Sequence, residues 1–92
     1  MNKPYFVYIL ECADGTYYTG CTNDIDRRIT AHQNGTASKY TRTRRPVRLV
    51  YQEWCGLKGS ALSREYAIKN LTRKEKQLLI KEGNGHAGTE QL

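Results

Sequence analysis

The chain has 92 residues, a net charge of +6 and 38% hydrophobic content. That length makes a single domain with a small core, which excludes a second domain and favours a shallow cleft over a deep pocket. No apolar run approaches the roughly 18 residues that a membrane-spanning helix needs. Cys12, Cys21 and Cys55 cannot all pair within one molecule and match no zinc spacing, so they read as reduced and semi-buried thiols. The N-terminus passes directly into a strand-like pattern, without the hydrophobic segment and cleavage site of a signal peptide, and the expected compartment is the cytoplasm.

Tyr5 to Cys12 is rich in aromatic and β-branched residues and predicts a strand. Ala13-Asp14-Gly15-Thr16 carries the Asp-Gly hairpin signal, and Tyr17 to Cys21 returns as the partner strand. Tyr8 and Tyr18 become neighbours in one hairpin register, which sequence does not fix. Thr22-Asn23-Asp24 offers N-caps for a helix to about Gln33, with Ile25, Ile29 and His32 at helical spacing and Asn34-Gly35 as the stop. Arg28 and His32, four apart, share a face of that helix.

Thr36 to Pro46 predicts a polar, basic loop, and Val47 to Cys55 a strand with mixed faces that calls for helices packed on a sheet. Ser60 or a neighbour starts a helix through about Leu71. Thr72-Arg73-Lys74-Glu75 is a capping-box pattern opening a further helix to about Glu82. Residues 1–82 are thus expected to form the domain, and residues 83–92 a flexible tail.

Charge is concentrated: Lys39, Arg42, Arg44, Arg45 and Arg48 contribute +5 within ten positions that hold no acid, and all other charges sum to +1. Such a patch suits polyanions, and a solubilising surface is the plainer explanation. Glu65 falls among Ala61, Leu62, Ile68 and Leu71, on or beside an apolar stripe. An acid there needs a partner, either a basic side chain such as Arg64 or Lys69 or a bound cation.

Taken in order, these residues resemble the GIY-YIG nuclease superfamily, and its small stand-alone bacterial members most. Val7-Tyr8-Ile9 matches the first motif with valine in place of glycine, and Tyr18-Thr19-Gly20 matches the second with threonine in the middle. Arg28 lies eight residues after Gly20, as the family's arginine does. His32 matches the helix histidine and Glu65 the acidic residue of the later helix. Ser38-Lys39-Tyr40-Thr41-Arg42 resembles a feature of the small stand-alone group. A polar residue after the glutamate, often asparagine in larger family enzymes, has no clear counterpart.

The resemblance implies an α+β fold, a three-stranded antiparallel sheet flanked by helices. It also implies a metal-dependent endonuclease that hydrolyses phosphodiester bonds in DNA and is structure-selective or weakly specific. Tyr8 would be the general base, Tyr18 would orient the water or phosphate, Arg28 would hold the phosphate, and His32 would donate to the phosphate or to a tyrosine. Glu65 would ligate Mg2+ or another divalent cation. Arg27 reads as a solvated or backbone-contacting residue. Lys39, Tyr40, Arg42, Arg44, Arg45 and Arg48 would meet nucleic acid, DNA or RNA, at its backbone. No targeting domain is visible, so a protein partner could supply targeting. The other readings are a binding module that keeps the nuclease fold without turnover, and a small interaction protein. Oligomeric state is open, as is the cellular setting, whether DNA repair, recombination or clearance of damaged nucleic acid.

Overall fold

The structure, a computed structural model, describes residues 3–89, with side chains described up to residue 83. Strand β1 (Tyr5–Glu11) turns back into β2 (Tyr17–Thr22), and α1 (Ile25–Gln33) and a one-turn α2 (Lys39–Arg42) follow. Strand β3 (Arg48–Gly56) leads to α3 (Lys58–Lys69) and α4 (Arg73–Thr89). The sheet order is β2-β1-β3 and both pairings are antiparallel, as the resemblance implied.

β1 is the middle strand because it is apolar on both faces. Val7, Tyr8, Ile9 and Leu10 are all fully buried, which requires cover above and below. On one face Val7 and Ile9 meet Ala61 and Ile68 of α3, with Leu79 and Ile80 of α4 packed behind. On the other, Tyr8 and Leu10 meet Ile25 and Ile29 of α1 and Leu49 of β3. Each such aliphatic side chain contributes about 1.5–3 kcal/mol when taken from water. Successive strand residues point to opposite faces, so one run of four supplies both cores.

Local chemistry sets most element ends. Asp24 caps α1, its carboxylate accepting from the Arg27 amide. Thr72 and Glu75 form a reciprocal capping box at the start of α4, with bonds of 2.8 and 3.1 Å.

Three expectations are corrected. The basic loop contains α2, because Ser38 caps it by accepting from the Thr41 amide at 3.1 Å. Helix α3 starts before Ser60, at Lys58, behind Leu57, which makes no side-chain cap. It follows the turn at Gly56, whose φ is 78°, and its first buried side chain is Ala61. Helix α4 does not stop near Glu82 but continues to Thr89. A helical glycine costs about 1 kcal/mol against alanine, which is too little to end a packed helix. Gly83 also has a packing reason: a Cβ there would lie 2.6 Å from Tyr51 Cε1, so the bare backbone lets α4 lie against that ring. The last three positions of the tail expected over 83–92 lie outside the described residues.

Candidate active site

Tyr8 stands opposite Gly20 in the hairpin register, and Leu10 opposite Tyr18, so the two tyrosines share a sheet face. Their ring centroids are 6.5 Å apart. The Tyr8 ring runs over the neighbouring strand: a Cβ on Gly20 would sit 2.5 Å from the Tyr8 hydroxyl oxygen. Glycine at position 20 therefore makes room for the phenol of position 8. The two short tyrosine motifs act as one structural unit.

Helix α1 closes this face. His32, fully buried, places Nε2 2.9 Å from the Tyr8 hydroxyl and Nδ1 2.8 Å from Thr41 Oγ1. Burial, helped by the charge of Arg28, pushes the imidazole down to about 4, so it is neutral near pH 7. A neutral imidazole donates through one nitrogen and accepts through the other. Thr41 Oγ1 lies 3.1 Å from Ser38 Oγ and 3.5 Å from the Ser38 carbonyl, which take its hydrogen. Its lone pair is then left for Nδ1–H, and the hydrogen-bond network assigns Nε2 as the acceptor of the Tyr8 O–H. Burial holds the Tyr8 phenol well above its ordinary pKa of 10; Tyr18 and Glu65 add to this, and the Arg28 guanidinium opposes it. Tyr8 is a protonated phenol aimed at a bare imidazole nitrogen.

The same pocket edge is aromatic. Tyr18 meets His32 edge-on at 5.0 Å and stacks on Tyr40 at 6.0 Å. The Arg44 guanidinium caps the stack, 3.9 Å from the Tyr40 ring centre.

Glu65 comes from α3, which packs on the opposite sheet face, and it meets Cys21 of the edge strand β2. Its charge acts on Tyr8. Cys21 of β2 is pushed up to about 11 by burial and, next, by its contact with Glu65. The Glu65 side chain is only 17% exposed and its carboxylate holds Lys69 Nζ at 2.7 Å, so of the basic partners weighed for it Lys69 is the one found.

The basic residues divide. Arg44 donates to Asp14 at 3.0 Å and to the Tyr40 carbonyl at 2.8 Å. Arg45 donates to the carbonyls of Arg42 and Gln33, and Arg48 pairs with Glu11. Lys39 and Arg42 make no ion pair among the described residues and stay exposed. Arg28, at the junction of Tyr8 and His32, also lines an open groove of 830 Å³ with Lys3, Arg27 and Lys58. Sequence reasoning did not single out Thr41; the signal was there in Ser38, three residues earlier, at capping distance.

Tyrosines from two paired strands, an arginine and histidine from one helix, and a glutamate from a later helix define the class: the chain belongs to the GIY-YIG family, whose catalytic-domain model matches residues 4–78. That places it in a nuclease family. Among individual proteins, it is similar to a UPF0213 protein of Staphylococcus saprophyticus, 53% identical over 83 residues that span 90% of this chain and all of that one. A solution NMR structure of a UPF0213 protein from Bacillus halodurans matches with 45% identity over 96% of this chain and 95% of that one, at a TM-score of 0.58. A second NMR structure, of an E. faecalis protein, matches with 39% identity over 87% and 85% of the two chains, at 0.60. No helix among the described residues is long and apolar enough to cross a membrane.

Proposed function

We propose that this protein is an endonuclease that hydrolyses phosphodiesters of DNA with the help of a divalent cation, structure-selective or weakly specific. The observation that carries the reading is the aim of the Tyr8 hydroxyl at His32 Nε2, 2.9 Å away, within the field of Arg28. Water attacks phosphorus as its proton passes to the Tyr8 oxygen and the Tyr8 proton passes to Nε2. One P–O bond forms and the opposite one breaks; the departing oxygen takes a proton from solvent water, and the proton held on His32 returns to solvent through Tyr8. Arg28 holds the phosphate through its planar donor fork and offsets the charge that develops on it. Tyr18, its ring centroid 6.5 Å from that of Tyr8, would orient the water or the phosphate.

The donor set at Glu65 suits magnesium. Among the described residues no three of His, Cys, Asp and Glu gather into a cluster, and the Cys21 thiol in contact with Glu65 is kept protonated by burial, so the carboxylate is the charged donor there. Magnesium is commonly held by one or two carboxylates and keeps several waters, whereas zinc would need nitrogen or sulfur ligands. Glu65 would hold the ion in competition with Lys69, and the ion would supply positive charge beside the phosphate.

The test is cleavage of nicked, branched, single-stranded and linear DNA, with magnesium or with chelator, by the wild type, Glu65→Ala and Arg28→Ala. Cutting that needs magnesium and falls at least about 100-fold in both variants is expected. Binding of DNA by the wild type without cutting would replace this reading with that of a binding module.

A further inference from the structure

The strongest unassigned feature is the 830 Å³ groove that Arg28 lines together with Tyr5 but without Tyr8 or Tyr18. Its walls are the first half of α1 with the turn before it, the start of β1, and the β3–α3 turn at Gly56, Leu57 and Lys58. Four basic side chains line it: Lys3, Arg27, Arg28 and Lys58. The one acid in it, Asp24, holds Lys3 at 3.2 Å and caps α1. Arg27, Arg28 and Lys58 make no ion pair among the described residues. The 39–48 segment differs: Arg44, Arg45 and Arg48 there are already turned to Asp14, backbone carbonyls and Glu11.

At the rim stands Trp54. It is 66% exposed, and its ring lies over Gly56, which lines the groove. It pairs with Phe6 as Gln52 pairs with Tyr8, so it stands on the sheet face that carries Tyr8. An indole that exposed loses favourable burial and packs little. A basic channel with an open aromatic face beside it is the chemistry that holds unpaired bases: cations track the phosphates and the ring stacks on a base.

We propose that this groove binds a single-stranded segment of DNA, with Arg27 and Lys58 on its phosphates and Trp54 stacked on a base, and leads that strand to Arg28 and Tyr8. This rests on the nuclease reading and makes unpaired DNA the preferred substrate.

Trp54 is the only tryptophan in the chain, so its fluorescence reports on the groove directly. The wild type is titrated in chelator with a fluorescently labelled single-stranded oligonucleotide and with the matching duplex, following tryptophan emission and label anisotropy together. Single strand is expected to quench the emission and to bind more tightly than duplex. Arg27→Ala and Lys58→Ala should each lower the slope of log affinity against log salt by about 0.7, with Lys74→Ala on α4 unchanged. Binding seen by anisotropy without quenching overturns the groove and leaves the nuclease reading standing. So does a slope lowered by Arg45→Ala or Arg48→Ala and not by the groove variants. Absence of both binding and magnesium-dependent cutting overturns both.

Discussion

The two faces of β1 are both fully buried, at Val7 and Ile9 on one side and Tyr8 and Leu10 on the other, and by different chemistry. Beneath Val7 and Ile9 the cover is apolar, from Ala61 and Ile68 of α3, Leu79 and Ile80 of α4 and rings such as Tyr51. Above Tyr8 it includes His32 and Thr41, each fully buried and each hydrogen-bonded. The one buried side-chain polar atom without a partner among the described residues, Thr19 Oγ1, lies on the apolar side, opposite Ile9. The contrast separates the apolar packing of α3 and α4 from the hydrogen-bonded cluster around Tyr8. A polar group can be buried at low cost only inside a closed set of partners, and here that set is the candidate site.

The largest expected effect is on the apolar side. Ile68→Ala should cost about 2–5 kcal/mol, read as a lowered urea midpoint. The tyrosine face should survive it, and loss of the His32 pH dependence in that variant would break the proposed separation.

Next is that pH dependence. The folded chain holds His32 near 4, while its ordinary value is 6.5, so the unfolded chain binds more protons between those limits. Stability is therefore full above about 6.5, falls as pH drops through that window, and levels off below about 4. The loss is up to about 3 kcal/mol. Urea midpoints from pH 8 to pH 4 should show this slope in the wild type and a flatter one in His32→Gln. Equal slopes would mean that His32 titrates freely and the face is wetter than its packing indicates.

The smallest effect has the opposite sign. Thr19→Val removes the unpartnered hydroxyl and keeps the branched shape, and should raise stability by about 1 kcal/mol without affecting DNA cleavage. A drop in the thermal midpoint would show that the hydroxyl is satisfied after all.

Much of this frame was legible in the sequence because it is written in local chemistry. Asp-Gly marked the hairpin, Asp24 the start of α1, and Thr72 with Glu75 the start of α4. The spacing of Arg28 and His32 marked one helix face. What stayed hidden depends on distant partners. Arg44 looked like a free phosphate ligand, yet it meets Asp14, thirty positions away. The helix was expected to end near Glu82 because the ring that Gly83 accommodates, Tyr51, belongs to another element. Thr41 stood only within the stretch Ser38 to Arg42, and its partner His32 lies nine positions away. Trp54 was read as part of a strand face, and only the absence of cover over it sets it apart.

The empty space at position 20 has a practical corollary. Transplanting the proposed site to another sheet means copying a vacancy along with its side chains, since any methyl group there would collide with the phenol oxygen of Tyr8. A search for such centres by catalytic groups alone would overlook the residue that has none to offer.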